Sequence, residues 1–358
     1  MMPLFSGLCR INEKNIRCYL FTCLIFFVAP PLKAQVKAKD ENPDSLVYCK
    51  PGLANSPRPK FFELSRTSSY FHNARANNYL TESEERKRVV SNDRFEAKLK
   101  FPLWMHPGFN MFGGIGYSSE TYSFAKSGSQ RGDSGFLSNI DEQTLKGVSA
   151  KIYATKPFKS NKFLFAKVGI KFQGDFHETH SPVNSYLNYD AGLLYGWKSS
   201  EDFVMGAGIA ASNNFGRFSI YPIFVYQRNF TNRISLEALL PASIKVRYTT
   251  FDSRNIIYGV SEVNGSNYRI NQPEILPGAN GAIVWQNANV DVKLGYEREI
   301  HDWLWFTLEA GIRQNLRSRI RYPEADGQEV ILDCNWDQSM VFKAGIFFVP
   351  PRKLLNRH

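Results

Sequence analysis

Alternation of apolar and polar residues is clearest between Ala288 and Gln314. Two runs there place an apolar side chain at every second position, and a short polar turn near His301 separates them. Because side chains on a β-strand point alternately to its two faces, each run predicts a strand with one apolar face. Its other face carries charges and glycines. A soluble sandwich could show this pattern once, but its recurrence about every ten residues is typical of a transmembrane β-barrel.

The sequence therefore predicts an all-β fold, a transmembrane antiparallel β-barrel of about 14 strands over residues 60–348. The count is fourteen if Pro241 separates two strands. It is twelve if that pair is merged and residues 60–70 form no strand. Short connections are expected at the periplasmic end and long polar loops outside. The segments predicted to be loops are residues 73–91, 125–143, 264–287 and 316–337.

The chain begins with a pattern typical of a signal peptide, predicted over residues 1–34. Arg10, Lys14 and Arg17 precede an apolar run at residues 18–28, and Ala34 offers a small residue for cleavage. An uncleaved anchor is the alternative. Residues 35–59 predict a flexible periplasmic segment or a small plug. Residues 349–358 are expected to form a C-terminal tail.

Composition fits a barrel better than a helical membrane protein. Mean hydropathy is −0.33, and no apolar run near 20 residues follows the N-terminal segment. The net charge of +11 suits contact with anionic lipopolysaccharide or attraction of anionic solutes, and no nucleic-acid partner is expected for an exported chain. Cys49 and Cys334 remain after the signal peptide. The topology places them on opposite sides of the membrane, which predicts two free thiols.

Tryptophans near predicted strand ends suggest belts at the membrane interfaces, because amphipathic rings favour the headgroup level. The candidates are Trp104, Trp197, Trp303 and Trp305.

Charged residues on the polar face of the alternation are candidates to line the lumen. They are Lys98, Lys100, Lys167, Lys171, Glu237, Lys245, Arg247, Asp291, Lys293, Glu297, Glu309 and Arg313. Cations exceed acids along the clearly alternating strands, so a wet lumen would favour anions. The alternative is that these residues pair with one another and close the interior.

Enzyme chemistry has little support. Asp175, His177, Glu178 and His180 lie close in one predicted loop, but their spacing matches no established metal motif. No serine lies in a recognisable nucleophile motif. The prediction is a non-enzymatic protein with no metal and no cofactor.

Several short motifs resemble an uncharacterised outer-membrane β-barrel family of Bacteroidota, a DUF6268-like domain of unknown function. They are residues 214–217 (NFGR), Tyr221-Pro222, residues 240–248 (LPASIKVRY), Gly265 and Tyr268. The resemblance implies an outer-membrane location in a Gram-negative bacterium and supplies no activity and no functional residues.

Three functions are compatible with this sequence. The favoured one is a passive pore for small solutes, anionic ones included. A structural or surface-interaction barrel with a closed lumen is the first alternative. A transporter of hydrophobic substrates is the second, and a lateral opening or an apolar internal pocket would indicate it. Outer-membrane lipids, lipopolysaccharide and the barrel-assembly machinery are the expected partners.

Overall fold

The computed structural model describes residues 49, 51–53, 56–70, 72–78, 83–125, 136–158, 161–176, 186–214, 218–271, 282–323 and 329–355. The predicted signal peptide lies outside the described residues, as do residues 35–48. No helix in the described part of the chain is long and apolar enough to cross a membrane.

The described chain forms sixteen strand segments and two short helices. The strands are β1 (Phe62–Tyr70), β2 (His72–Asn78), β3 (Ser83–His106), β4 (Phe109–Phe124), β5 (Thr144–Pro157), β6 (Lys162–Gly174), β7 (Leu187–Ser200), β8 (Phe203–Ser212), β9 (Ser219–Asn229), β10 (Ile234–Leu240), β11 (Ser243–Thr249), β12 (Asn255–Ile270), β13 (Ile283–His301), β14 (Leu304–Pro323), β15 (Glu329–Trp336) and β16 (Ser339–Phe348). The helices are α1 (Phe136–Asn139) and α2 (Arg352–Leu355).

Antiparallel pairing closes these segments into a barrel. β1 pairs with β3 on one side and with β16 on the other, which joins the two ends of the sheet. Farther along the barrel, β2 and β15 pair with each other and take the places of β1 and β16. Within the described residues the ring therefore has 14 strands. The prediction of a 14-stranded transmembrane antiparallel barrel is confirmed, and Pro241 does separate two strands.

The barrel has two different ends. One end, called here the turn end, carries the short connections between β3 and β4, β5 and β6, β7 and β8, β9 and β10, β11 and β12, and β13 and β14, together with the outer ends of β1 and β16. The opposite end, the loop end, carries the remaining connections. This arrangement matches the predicted division between short and long connections, except that only Pro241 and Ala242 join β10 to β11.

An apolar band surrounds the barrel. Its members are large apolar side chains that stay exposed on the outer face although their neighbours in sequence point inward; Leu294 is 73% exposed and Val292 49%. Other members are Val148, Val168, Ile209, Ile220, Ile257, Leu308 and Ile312. A closed barrel satisfies every strand edge inside hydrocarbon, so this outer face suits lipid contact.

Beyond the apolar band, toward the loop end, the alternation reverses. On β14, Ile320 and Tyr322 are buried inside, whereas Arg319 and Arg321 lie on the other face. At this level the outer face meets water and the inner face meets a dry core, so polar residues point outward and apolar residues point inward. The loops predicted at residues 73–91, 264–287 and 316–337 are therefore wrong in large part, because β2, β3, β12, β13, β14 and β15 continue through them.

Inward apolar side chains at the loop end pack into one cluster, the loop-end core. Its members are Ala74, Ala76, Val89, Tyr122, Phe124, Phe136, Leu137, Ile140, Leu145, Tyr268, Ile270, Ile283, Trp285, Ile320, Tyr322, Leu332, Cys334 and Trp336. The Trp285 ring lies 4.9 Å from Tyr122, 5.5 Å from Phe136 and 5.8 Å from Trp336. Helix α1 brings Phe136 into this core. The core fills the barrel at this level.

At the loop end, strand β12 approaches β6 directly, although β7 to β11 lie between these two strands in the ring. Arg269 forms a parallel bridge with Gly174, and the Asn271 N–H donates to the Asp175 carboxylate at 2.8 Å. The Asn267 amide donates to Asn188 at 2.8 Å. At the loop end, β7 to β11 are thus left outside a narrower ring that the loop-end core fills.

Candidate functional site

A cavity of about 1040 Å³ lies inside the barrel against β6 to β12. Much of its wall is apolar and comes from inward side chains of β6 to β9, namely Phe163, Phe165, Leu194, Val204, Ile223 and Val225. Polar groups of the Lys167–Asp190 pair and of Glu237 interrupt this surface. An apolar cavity of this size with a few polar groups is typical of small-molecule sites.

Residues 49, 51–53 and 56–60 form a strap across the turn end. The Cys49 N–H donates to the Phe158 carbonyl at 3.1 Å, beside the β5–β6 turn. Leu53 packs with Phe163, Leu194 and Val204 in a buried cluster. Pro51 and Gly52 line the cavity, so the strap forms its floor.

The far end of the strap is fixed on the opposite side of the ring. Arg58 donates to the Asp302 carboxylate at 3.0 Å and to the Pro350 carbonyl at 2.9 Å. Arg352 of α2 pairs with Glu299 at 2.5 Å and with Asp302 at 3.1 Å. Partial burial opposes ionisation of Asp302, but the Arg352 N–H and the charges of Arg58 and Arg352 outweigh it and keep the pKa of that carboxyl below its usual value.

The cavity reaches the side of the barrel where the strands that form the wall are short. β10 and β11 have 7 residues each, whereas a membrane-crossing strand needs about 9–11. Their connecting tip, Leu239 to Ala242, is exposed and uncharged. Six residues line the cavity there, two each from the region of the β8–β9 connection, the β10–β11 tip and β12: Asn214, Ser219, Pro241, Ala242, Val263 and Gly265. Among the described residues they leave a gap in the wall, which we call the side mouth.

The predicted lumen charges on β10 to β14 are mostly paired in the structure. Arg247 pairs with Glu237 at 2.6 Å, Lys293 with Glu309 and Glu262 at 2.6 Å each, Arg313 with Asp291 at 2.7 Å, and Glu297 with Lys60 at 2.7 Å. Lys343 joins this network through Glu63 at 3.2 Å and Glu309 at 3.8 Å. Lys245 instead lies 3.6 Å above the Tyr258 ring. This side of the interior is nearly neutralised.

The predicted lysines on β3 and β6 lie on a different part of the inner wall. Lys167 pairs with Asp190 at 2.5 Å, and Lys98 pairs with Glu96 at 2.9 Å. Lys100 lies 5.9 Å from the Tyr153 ring. Among the described residues, Lys100 and Lys171 form no ion pair.

Three of the four candidate interface tryptophans lie near the turn end of the outer wall. Trp104 is 60% exposed and Trp303 39%, and Trp197 is half-buried beside Tyr195. Trp305 contradicts the prediction. It is 5% exposed and stacks on Phe347 inside the barrel with a centroid distance of 6.0 Å. Its position in β14 is one whose side chain points into the barrel.

Sequence reasoning missed the apolar cavity wall and several interior acids. The sequence signal for the wall is a strand with apolar residues on both faces, as in Phe163-Leu164-Phe165. Only one of the two faces can contact lipid, so the other must contact something apolar inside. Glu120 lies in a polar run of β4, residues 118–121, where no apolar alternation marks the inner face. It accepts hydrogen bonds from Tyr122 at 2.7 Å and Asn92 at 3.0 Å.

The remaining candidate chemistry is sparse. Cys49 and Cys334 are both free thiols, as predicted, and Cys334 is buried in the loop-end core. His177, Glu178 and His180 lie outside the described residues. Within the described part of the chain, no group of three or more His, Cys, Asp or Glu residues could hold a metal ion.

Distant structural similarity connects this chain to known barrels. The Pseudomonas putida toluene transporter TodX superposes with a TM-score of 0.36 and 11% identity over 83% of this chain and 91% of that chain. A Pseudomonas aeruginosa FadL homologue gives 0.39 and 9% over 81% and 90%. The Escherichia coli outer-membrane protease OmpT gives 0.28 and 6% over 83% and 100%. No curated protein matches the sequence.

A family model matches residues 133–321, which is more than half of the chain. The matched region runs from the β4–β5 connection through β14 and includes the cavity wall and the side mouth. The chain belongs to the family described as "Domain of unknown function (DUF6268)".

Proposed function

We propose that this protein is an outer-membrane barrel that transfers small apolar or amphipathic molecules between the outer leaflet and the periplasm. The observation that carries the proposal is the side mouth, where an apolar cavity meets a wall too short to span the membrane. A molecule dissolved in the leaflet would enter there without crossing water.

The ends of the barrel support a lateral route over an axial one. The loop-end core fills the lumen at one end, and the strap crosses the other. Passage to the periplasm therefore requires the strap to move, since Leu53 packs on the cavity floor.

The location and partners belong to the same proposal. We place the turn end in the periplasm, because short connections face that side in outer-membrane barrels. Basic residues outside the apolar band at the loop end, such as Arg86 and Arg88, would then meet the phosphates of lipopolysaccharide. We assign the protein to a Gram-negative bacterium, with Bacteroidota as the expected source and the barrel-assembly machinery as a partner in insertion.

A passive pore for small anionic solutes is the second candidate. The lysines without ion pairs on β3 and β6 favour it. Single-channel conductance in planar bilayers separates the two functions. Steady ohmic steps with anion preference would support the pore, whereas the lateral route predicts a folded barrel that does not conduct steadily.

Binding of a neutral amphiphile tests the lateral route directly. The barrel is reconstituted in phosphatidylcholine vesicles, and energy transfer from its tryptophans to pyrenyl-dodecanol is measured against protein-free vesicles. The double variant Gly192→Phe, Ala210→Phe fills the cavity. A Cβ at Gly192 would lie no closer than 3.8 Å to its neighbours, so the substitution fits without a backbone clash.

The matched control is Gly259→Phe, Ala150→Phe, which adds the same side chains to the lipid face. A Cβ at Gly259 would lie 3.8 Å from the outward Leu294. We expect saturable binding in the natural protein and in the control, and its loss in the cavity variant. Equal binding in both variants would refute a site in the cavity.

A further inference from the structure

The inner wall formed by β3 to β6 contains a row of small residues flanked by lysines. The small residues are Gly114, Gly116, Gly147, Ser149 and Gly169. Lys98 and Lys100 lie on one side of this row and Lys151 and Lys171 near the other. We call this surface the lysine trough.

Strand register aligns the lysines across the trough. Lys100 is opposite Gly114, which is opposite Lys151. The two lysine Cα atoms are therefore about 10 Å apart, since neighbouring strands are spaced by about 4.8 Å. Gly114 between them has no side chain, and the edge of the Tyr153 ring lies over it, 3.6 Å from where a Cβ would be.

A second row repeats the arrangement one step toward the loop end. Lys98 is opposite Gly116, then Ser149, then Lys171. A Cβ at Gly116 would lie 2.7 Å from the Ser149 hydroxyl. The Ser149 hydroxyl therefore lies over Gly116, and a larger residue at Gly116 would displace it.

Charge in the trough is only partly neutralised by the described residues, since the Asp190 carboxylate lies beside Lys151 over Gly169. Lys100, Lys151 and Lys171 form no ion pair with any described residue, whereas Lys98 shares Glu96 with Arg94. This contrasts with β10 to β14, where acids neutralise nearly every cation. Three amines without an ion pair on one stretch of the inner wall leave an excess of positive charge there, and this excess favours an anion.

The trough continues directly into the cavity. The carboxylate of Asp190 and the Cγ of Lys151 both lie over Gly169, 2.7 Å and 3.2 Å from where its Cβ would be. Asp190 also pairs with Lys167, and both residues line the cavity. A ligand could therefore occupy both surfaces at once.

We propose that the lysine trough binds the anionic head group of a single-chain amphiphile whose apolar chain occupies the cavity. Three unpaired lysines favour a phosphate monoester, with two negative charges, over a carboxylate. The inference rests on the proposed function and specifies its substrate class.

Displacement of pyrenyl-dodecanol by unlabelled ligands tests this proposal. Dodecyl phosphate, dodecanoate and dodecanol are compared, with partition into protein-free vesicles subtracted. We expect dodecyl phosphate to bind at least about tenfold more tightly than dodecanol, because one charge-assisted hydrogen bond exceeds the free energy of a tenfold change. Dodecanoate should fall between them.

Variants locate the head-group site. Lys100→Met, Lys151→Met should bind dodecyl phosphate and dodecanol equally, with dodecanol affinity unchanged. Lys100→Arg, Lys151→Arg should keep the preference. The control Lys146→Met, Lys162→Met removes the same charge at exposed strand ends and should behave like the natural protein.

Each failure has a distinct meaning. Equal affinity of the natural protein for all three ligands would overturn the head-group site and leave the proposed function standing. A preference for dodecyl phosphate that survives loss of both lysines would also overturn it. If inorganic phosphate competes as well as dodecyl phosphate, the trough binds anions independently of the cavity, and the inference is wrong. Absence of any dodecanol binding would refute the proposed function itself.

Discussion

Removal of the Lys293 charge should destabilise the barrel from its interior. The Lys293 side chain is 4% exposed, and its amine lies 2.6 Å from both Glu309 and Glu262. Lys293→Met would leave those two acids facing one another. Glu309 keeps a hydrogen bond from Tyr258 at 2.7 Å and a longer contact with Lys343, and Glu262 is 34% exposed to the lumen.

These retained partners limit the cost. Breaking a fully buried ion pair costs about 3–5 kcal/mol, whereas the loss of a hydrogen bond to a charged group costs about 1.5–3 kcal/mol. We expect Lys293→Met to lower the free energy of unfolding by an amount within the second range. Lys98→Met should cost less than about 1 kcal/mol, since Lys98 is 45% exposed and Glu96 keeps Arg94.

Urea titration of the refolded barrel in vesicles, followed by tryptophan fluorescence, measures both values. Adding Glu309→Gln to Lys293→Met should restore part of the stability, because it removes one of the two opposed charges. Equal midpoints for Lys293→Met and Lys98→Met would show that the network does not stabilise the barrel. Failure of Glu309→Gln to restore stability would show that charge repulsion is not the cause.

Two further predictions concern the outer face and the strap. Val292→Arg places a cation on the apolar band and should cost about 2–4 kcal/mol in the same urea titration; Val292→Ala is the control, and equal midpoints would contradict lipid contact there. A spin label attached through Ser56→Cys in a Cys49→Ser background, two residues from Arg58, should gain mobility as the pH falls through the lowered pKa of Asp302. An acid whose pKa is lowered by folding contributes its full stabilisation of the folded state above its usual pKa. That stabilisation is lost as the pH falls through the lowered pKa and the carboxyl is protonated. In Asp302→Asn the label should be mobile at every pH, and a pH-independent label in the natural protein would refute the role of Arg58 and Asp302 as a fastening.

The sequence predicts the membrane band well because one physical rule applies along it. At Val292 and Leu294 the outer face meets lipid and the inner face meets water, so alternation has a single sense. The rule fails at Ile320 and Tyr322, where water lies outside and the core inside. Arg319 and Arg321 then resemble a solvated loop, although they belong to a regular strand.

The candidate site was less predictable for a related reason. Phe163 and Leu194 point into the cavity from strands whose outer faces are also apolar. Their environment depends on which strands lie opposite, which is a property of the closed ring. The unpaired state of Lys100 and Lys151 depends equally on register, since their neighbours across the sheet are glycines.

The loop-end core gives the barrel two modules that are stabilised by different solvents. The membrane band is held by strand pairing in hydrocarbon, where water cannot compete for backbone groups. Trp285 and its neighbours are instead buried from water, so their association depends on the hydrophobic effect, as in a soluble domain. Moderate urea should weaken the core before it disrupts the band, because urea solvates apolar groups in water. The loop end would then behave as a cooperative unit that opens and closes while the strands beneath it remain in the membrane.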